Sequence, residues 1–355
     1  MHYRSRRTRQ GSAAAVARIG RVEHAPRRAV LAIDLGGTQI RAAHVAADLT
    51  VSCRHAVPTD SASGVEDVVE RLCALASEAL TAARVEGLEA PIGIGISAPG
   101  PLDPWAGVVV SPPNLAAWHN VPLARLVSAR LGLPTFLERD TNVAVMAEWR
   151  FGAAQGARTV VYVTISTGIG GGIVIDARPL IGLDGTAGEV GHLTVDIDGP
   201  LCGDGQRGHA EAIGSGIAIR RDGMALLEQG ASPTLAALVS DPQQLSARDV
   251  ADAADSGDAA CAAIYERAYI AVGAMCAGLV NLLNPEVIVL GGSIAEHRPR
   301  LHVVVGREIA ERSFPRPAAR VRLEHARFSD DVSLIGALPI VNERIADPAY
   351  RRASA

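Results

Sequence analysis

The sequence predicts an α/β protein built from two duplicated lobes. Two segments, one near residue 34 and one near residue 167, each have the pattern of a strand, a glycine-rich turn and a second strand. Each of them opens a domain-sized stretch in which short apolar runs alternate with segments of helical spacing. A chain of 355 residues, of which 48% are hydrophobic, is long enough for two substantial cores.

The composition argues against several classes of function. A net charge of -4 gives no general attraction to nucleic acid or membranes, and no apolar run has the pattern of a membrane span or a secretion signal. Every basic residue is an arginine, which excludes a catalytic lysine and the lysine-containing phosphate loop. Five cysteines without a paired framework predict reduced thiols and a cytoplasmic protein.

The predicted organisation begins with an arginine-rich leader. Residues 1–28 lack periodicity and are expected to be disordered; a nucleic-acid-binding arm or a targeting segment is the alternative. The expected units after it are a first lobe over residues 29–137, a second lobe over residues 138–330, a C-terminal helix over residues 331–346 that packs back on the first lobe, and a frayed tail over residues 347–355.

The first hairpin starts with an apolar strand over Ala29–Ile33. Gly36 and Gly37 lie at its tip, where positive φ angles and bare backbone N–H groups can face an anion. Asp34 could then hold a magnesium ion through water, and Thr38 could bind a phosphate oxygen. By itself the motif is equally compatible with a plain turn.

Two helices and a polar loop follow in the first lobe. A capping box at Ser63–Glu66 predicts an amphipathic helix that runs to Gly87, and a second helix is predicted over Asn120–Leu131. In the loop between them, the amide of Asn114 and the indole of Trp118 would suit the hydroxyls and the C–H face of a sugar. A capped turn beside a core tryptophan is the alternative.

Asp140 is the candidate general base. A predicted strand over Pro134–Leu137 delivers it to a strand-to-helix junction, where a carboxylate can meet a substrate hydroxyl at about 3 Å. The same residue could instead be a helix N-cap that has no catalytic role.

The second hairpin is predicted as a strand over Thr159–Ser166, a glycine turn, and a strand that resumes at Ile173. Two such turns, one in each half, favour lobes that grip a polyphosphate with backbone amides in place of lysine. The candidate residues of the second turn are Thr167, Gly168, Gly170 and Gly171.

The loop between Gly188 and Glu211 gathers side chains of the metal-ligand type. Their close spacing is typical of a local tetrahedral zinc site. A buried thiol beside surface histidines is the alternative. The possible donors are His192, Cys202, Asp204 and His209, and they are flanked by Glu189 and Glu211.

The last elements are a long apolar helix that ends at Leu283, a buried strand over Val287–Leu290 and a final helix over Leu334–Ile345. After the strand, Gly291 and Gly292 would let the chain pass close to adenine or ribose. A strand-to-helix turn explains the same glycines without a ligand.

Together, these motifs resemble the repressor/open-reading-frame/kinase (ROK) family of sugar kinases, a branch of the actin-like ATPases, from about Val30 to Ala337. The resemblance implies an actin-like ATPase (ribonuclease H-like) fold with two lobes around a central cleft. It also implies ATP with Mg²⁺, a structural Zn²⁺, and a homodimer or homotetramer.

The resemblance assigns roles to residues of the motifs. The turn from Asp34 to Thr38 is similar to the first phosphate loop of the family, and Thr167–Gly172 is similar to the second. Asp140 resembles the catalytic base, and Gly291–Gly292 resembles the adenosine site. The implied sugar contacts lie at Asn114, Arg139, Asp140, Glu189, His192 and Glu211.

The chain departs from the family pattern at several positions. Asp204 and His209 replace two zinc-ligating cysteines, which should loosen the metal site and reduce its preference for zinc. Arg139 stands where the family usually has asparagine, and its charge should lower the pKa of Asp140. We expect that the arginine either turns outward or meets an anionic group of the substrate. Gln39 replaces an often basic residue and is expected to be peripheral.

We therefore predict an ATP-dependent, glucokinase-like kinase that phosphorylates a hexose-type hydroxyl with Asp140 as the general base. One alternative is a sugar-sensing regulator of the same family, for which about 28 residues before the first strand are too few to form a helix-turn-helix domain. The other is a sugar-binding protein without catalysis.

Overall fold

Two five-stranded sheets form the frame of the molecule, which a computed structural model describes from residue 27 to residue 351. The strands of the first half are β1 (Val30–Leu35), β2 (Gln39–Val45), β3 (Val51–Pro58), β4 (Ile94–Ala98), β5 (Leu102–Asp103), β6 (Val108–Val109) and β7 (Thr135–Arg139). Those of the second half are β8 (Val160–Ile165), β9 (Ile169–Ile175), β10 (Arg178–Pro179), β11 (Val287–Gly291) and β12 (Arg322–His325).

The two sheets have the same topology. The first has the order β3-β2-β1-β4-β7 and the second has the order β10-β9-β8-β11-β12, so the two orders match strand for strand. In each sheet a three-stranded antiparallel meander is extended by two parallel strands. This confirms the predicted α/β class and the duplication. β5 and β6 form a separate two-stranded ribbon.

Helices cover the sheets and form the links between them. Those of the first half are α1 (Val65–Val85), α2 (Leu123–Leu131) and α3 (Asp140–Phe151). Those of the second half are α4 (Ala210–Gly214), α5 (Gly216–Glu228), α6 (Pro233–Leu238), α7 (Ala247–Asp255), α8 (Ala259–Leu283), α9 (Ser293–His297), α10 (Pro299–Arg312), α11 (Pro315–Ala318), α12 (Val332–Arg344) and α13 (Pro348–Arg351).

The first sheet is buried on both faces, because successive side chains of a strand point to opposite sides. Leu31 and Ile33 of β1 pack in the core under α1 and α2. Val30 and Ala32 pack in the core under α12 and part of α3. The helix α12 therefore lies on the first sheet, although it follows the last strand of the second.

The helix α8 is long and apolar enough to cross a membrane by length and composition alone. Its most apolar window is 67% buried within the protein. Its buried side chains belong to the core of the second lobe. A core helix meets the same length and composition criteria, so α8 is accounted for by its packing.

Two predicted helix starts are wrong. Gly64, and not Ser63, is the N-cap of α1, because the Ser63 hydroxyl donates to the Asp60 carbonyl in a preceding 3₁₀ turn. The second helix begins at Leu123 rather than Asn120, because Asn120 has a φ of 52° and the next residue pairs with the end of β6.

The predicted ends of the ordered region are also wrong. Arg28 of the predicted leader donates its backbone N–H to Asn342 and pairs with Glu89, so it belongs to the folded part. The predicted frayed tail contains α13, whose Tyr350 is buried with the Arg344 guanidinium 4.4 Å from its ring centre. The rest of the predicted leader, residues 1–26, and residues 352–355 lie outside the described part of the chain.

The chain crosses from one sheet to the other twice. The first crossing is α3, and the second is the segment that joins β12 to α12. The fully buried Glu148 of α3 ties both passages together. Its Oε2 accepts from the backbone N–H of Ala153 at 2.9 Å, and its Oε1 accepts from those of Arg327 at 2.7 Å and Phe328 at 3.1 Å. One carboxylate therefore contacts both connections between the sheets: the segment that follows α3 and the segment that follows β12.

We expect Glu148→Gln to lower the stability of the folded protein by about 1–3 kcal/mol, because the carboxamide places N–H groups against a buried N–H donor. The midpoint of urea unfolding measures this effect. The exposed Glu70→Gln in α1 removes the same charge and should leave the midpoint unchanged. Equal midpoints for both variants would remove Glu148 from this role.

Candidate active site

The candidate site lies at the carboxyl ends of the parallel strands β1, β4 and β7. Asp34 pairs with Ser97 across β1 and β4, and Ser97 pairs with Glu138 across β4 and β7. Since neighbouring strands are about 4.8 Å apart, these register positions span about 10 Å. Asp140 follows two residues after Glu138, so Asp34 and Asp140 open onto the same edge of the sheet.

Asp34 is held by an arginine that sequence reasoning missed. Arg41 lies opposite Asp34 in the hairpin, and its Nε and Nη2 donate to Asp34 Oδ2 at 3.0 and 2.6 Å. The same guanidinium donates to Ser333 Oγ of α12 at 2.9 Å. Asp34 Oδ1 has no hydrogen bond among residues 27–351. The hairpin register would have revealed Arg41, since a tip at residues 37 and 38 places residue 41 opposite residue 34.

The first glycine turn is compact, and neither of its glycines has a positive φ, contrary to the prediction. Thr59 fixes it through its hydroxyl, which donates to the Gly36 carbonyl at 2.6 Å. Gly37 is needed for close approach, because a Cβ there would lie 3.0 Å from the Cβ of Asn114. The exposed Asn114 thus lies beside the turn, with Thr38 exposed at its end.

The predicted stacking of Trp118 on a sugar is wrong. Its side chain is 0% exposed and packs in the core under α1 and α2. The alternative given by the sequence, a core tryptophan beside a loop, is the one that the structure adopts.

The tip of the second hairpin is Ser166–Gly168, and the next three glycines lie within β9, so the predicted turn is too long. These glycines permit close packing. A Cβ on Gly172 would lie 2.3 Å from the Thr141 carbonyl oxygen at the start of α3, and one on Gly170 would lie 2.8 Å from Thr141 Cγ2. One on Gly171 would meet the loop that carries Glu189 and His192. Because these positions of β9 have no side chains, the second lobe packs against the start of α3 next to Asp140. Thr167 remains exposed at the tip of the hairpin.

Glu211 supports the second turn. It lies in the first turn of α4, and its Oε2 accepts from the backbone N–H of Ile169 at 2.8 Å. A Cβ on Gly168 would lie 2.6 Å from the same oxygen. Its other oxygen lies 3.9 Å from Cys202 Sγ, so the residue joins the turn to the metal-ligand loop. Its predicted contact with sugar stays a prediction.

Asp140 is the first residue of α3, and Arg139 occupies the N-cap position, so the N-cap alternative is wrong. Its Oδ1 accepts from the backbone N–H of Thr141 at 2.7 Å. The residue keeps a solvent-accessible surface, but the protein around the carboxylate partly desolvates it, and this desolvation raises its pKa to about 6. The Asp34 and Glu189 charges also raise this pKa, whereas the Thr141 hydrogen bond and the Arg139 charge lower it. The predicted lowering of this pKa by the Arg139 charge is present, but the effect of burial is larger and in the opposite direction.

Arg139 turns inward, contrary to one predicted alternative, and is 3% exposed. Its guanidinium pairs with the Glu189 carboxylate and donates to the carbonyls of Ala187 at 2.5 Å and Gly171 at 3.0 Å. The other alternative, a cation that meets an anionic substrate, loses its basis because the charge is already paired.

Behind the junction lies a buried network that sequence reasoning did not find. Glu138 is 1% exposed, and its Oε1 accepts from the backbone N–H of Arg139 and from Asn142 Nδ2, both at 2.9 Å. Its Oε2 pairs with Arg344 of α12. Nearby, the buried Ser97 Oγ and Thr141 Oγ1 have no partner among residues 27–351. Such atoms are usually satisfied by a bound water or ligand.

The four predicted metal donors meet at one point. One ligand atom from each lies within 4.8 Å of all the others. His192 Nδ1 is 3.1 Å from Asp204 Oδ2 and 3.2 Å from His209 Nδ1. The Gln206 backbone N–H and the two imidazoles lower the pKa of Asp204. One sulfur, two nitrogens and one carboxylate oxygen at these separations fit a tetrahedral ion. The four donors are His192, Cys202, Asp204 and His209.

The second sheet contributes the turn after β11. Gly292 has a φ of 86°, and a Cβ there would lie 2.6 Å from the Ile165 carbonyl oxygen at the end of β8. The Ser293 hydroxyl meets that of Ser166 at 2.9 Å. Gly291 and Gly292 thus lie beside the second glycine turn, and their role toward adenosine stays a prediction.

Comparison with known proteins agrees with this geometry. The profile of the ROK family matches residues 30–344. The glucokinase of Thermotoga maritima is 33% identical over 320 residues, which cover 90% of this chain and 99% of that protein. The ROK family glucokinase from Streptomyces griseus, solved in complex with glucose and AMPPNP, aligns with a TM-score of 0.70 at 30% identity, covering 87% of this chain and 98% of that one.

A regulator is also similar in structure. The ROK family transcriptional regulator that is a homolog of the E. coli MLC protein aligns with a TM-score of 0.80 at 27% identity, covering 92% of this chain and 80% of that one. The predicted two-lobed, actin-like fold is confirmed by these alignments.

Proposed function

The chain belongs to the ROK family, and we propose that it transfers the γ-phosphoryl group of ATP to a hydroxyl group of a hexose-type sugar. One observation carries this proposal: Asp140 opens onto the same sheet edge as Asp34, and the second glycine-rich hairpin packs against the residue that follows Asp140. Burial raises the pKa of Asp140 to about 6. A carboxylate with such a pKa is ionised at neutral pH and still basic enough to accept a proton in the transition state. The similar glucokinases support the choice of substrates.

In the proposed reaction, Asp140 accepts the proton of the sugar hydroxyl as that oxygen attacks the γ-phosphorus. The new O–P bond forms in line with the bond from the γ-phosphorus to the bridging oxygen. That bond breaks, and the bridging oxygen leaves as part of ADP. Backbone N–H groups at the tips of the two turns, residues 37–38 and 167–168, would neutralise phosphate charge, since the chain has no lysine. Asp34 would hold Mg²⁺ through its free Oδ1, and the ion would supply further charge neutralisation.

We also propose that the four-donor cluster binds a structural Zn²⁺. Because His192 directs Nδ1 toward the other donors, its Nε2 lies on the opposite side of the ring. The cluster would fix this imidazole so that Nε2 can reach a sugar hydroxyl. Glu189, Asn114 and Glu211 are the further sugar contacts that we propose.

The function is tested by ADP release over glucose, fructose, mannose, allose, their N-acetylated forms and sugar acids. We expect release with a neutral hexose and a kcat/KM that falls as the pH drops below about 6, where Asp140 of the free enzyme becomes protonated. Asp140→Asn should lower kcat by at least ~100-fold while sugar binding is kept, because only the base is lost.

The pH profile supplies the control. The residual activity of Asp140→Asn should lack the acid limb near pH 6. Equal turnover in the variant and the wild type would exclude Asp140 as the base, and no ADP release with any sugar would overturn the proposed function.

The metal proposal predicts about one zinc per chain in the purified protein. Cys202→Ser should reduce the metal content and raise the sugar KM, while Asp204→Cys should slow metal loss to a chelator, because sulfur binds zinc better than oxygen. Elemental analysis measures the content. Cys53→Ser, which changes a thiol outside the cluster, should have no effect. Equal zinc in wild type and Cys202→Ser would exclude the thiolate as a ligand.

The sugar-sensing alternative shares the fold, as the similarity to the regulator indicates. A regulator without catalysis would bind sugar and release no ADP, so the same assay separates the two. The homodimer or homotetramer and the cytoplasmic location stay predictions; light scattering on the eluted protein measures the first.

A further inference from the structure

The departure from the family at Arg139 has a structural consequence that concerns Glu189. Arg139 directly precedes Asp140, yet its side chain is withdrawn from the cleft and 3% exposed. The Glu189 side chain, its ion-pair partner, is 45% exposed. The pair therefore reaches from the interior to the surface of the cleft.

Both terminal nitrogens of the Arg139 guanidinium have acceptors, whereas its buried Nε has no hydrogen-bond partner among residues 27–351. Nη1 pairs with Glu189 Oε1, and Nη2 donates to the carbonyls of Ala187 and Gly171. Gly171 belongs to β9 and Ala187 to the loop before Glu189, while Arg139 ends β7 of the other sheet. The side chain thus fastens this loop to both lobes.

Two glycines leave the space that the Arg139 side chain occupies. A Cβ on Gly100 would lie 3.1 Å from Arg139 Cδ, and one on Gly188 would lie 3.1 Å from its Nη2. Both distances are tight, so the slot accepts the long side chain only because these positions carry no side chain.

The charges of Arg139 and Glu189 determine which groups of a substrate the ion pair can bind. The guanidinium carries a positive charge, and burying it is tolerable only because Glu189 neutralises it. The pair has no net charge, and Asp140 adds a negative one beside it. The pair accordingly offers no net positive charge to a carboxylate or phosphate of a substrate.

Arg139 leaves one oxygen of Glu189 available. The arginine holds Oε1, and Oε2 has no hydrogen bond among residues 27–351. A carboxylate fixed at one oxygen presents the other as an acceptor of set position. A hydroxyl group is the ligand chemistry that such an acceptor fits.

We propose that Arg139 is a positioning residue that holds Glu189 so that its free oxygen selects one hydroxyl of a neutral sugar. This inference rests on the proposed function. Arg139 does not touch the sugar; the substrates are neutral hexoses, and sugar acids are excluded.

The test is a double-mutant cycle of Arg139→Gln, Glu189→Gln and both together, with Arg139→Lys as the conservative variant. Steady-state kinetics are measured with the preferred hexose, its monodeoxy analogues, glucuronate and ATP. The exposed Arg178→Gln removes the same charge from β10 and is the control.

Arg139→Gln should raise the sugar KM about tenfold and should reduce discrimination against one deoxy analogue by a similar factor, because Glu189 loses its fixed position. The kcat and the KM for ATP should change less. Arg139→Lys should be intermediate, since lysine keeps the charge without the fork. The double variant should be no worse than the worse single variant, and Arg178→Gln should match the wild type.

Independent effects that multiply in the double variant would overturn the proposal. The proposal would also be overturned if the wild type phosphorylated glucuronate and Arg139→Gln did not, because the guanidinium would then bind the substrate. If the wild type releases no ADP with any sugar, the proposed function fails. In that case the sugar affinity of the same variants is measured by calorimetry. We expect the losses of affinity for Arg139→Gln and Glu189→Gln to be non-additive in the double variant, and additive losses would overturn the positioning role of Arg139.

Discussion

The site depends on one buried carboxylate at the end of β7. Glu138 accepts from the backbone of Arg139 and the side chain of Asn142, and it pairs with Arg344 from the far end of the chain. These contacts set the direction in which the strand becomes a helix. Asp140 and Arg139 leave that junction in different directions, one into the cleft and one into the protein. Because the group is 1% exposed, loss of Arg344 would leave a charge buried and unpaired.

Much of the site could be predicted from residue types at strand ends and in glycine-rich loops. Asp34, Asp140 and the four metal donors were found because their positions follow from local pattern. The duplicated topology also follows from local pattern, since the same hairpin appears at the start of each half. The fold class is confirmed, whereas the roles of these residues stay proposals.

What the sequence did not reveal depends on contacts between distant segments. Glu138 and Arg344 are separated by 206 positions, and Glu148 bonds to a backbone nearly 180 positions away. Neither glutamate is marked by periodicity, because every residue of β7 is buried around Glu138 and α3 is buried on almost all sides around Glu148. Arg139 was misjudged for the same reason: its acceptors include carbonyls of β9 and of a later loop, and only the assembled lobes bring them within reach.

The hydrogen bonds of Glu148 constrain how the lobes can move. Both connections between the sheets converge on a single carboxylate, so any displacement that keeps these bonds must leave that point nearly fixed. Sliding of one sheet across the other would break them, whereas swinging about them would not. Rotation of the lobes about Glu148 is therefore the relative movement that these hydrogen bonds permit.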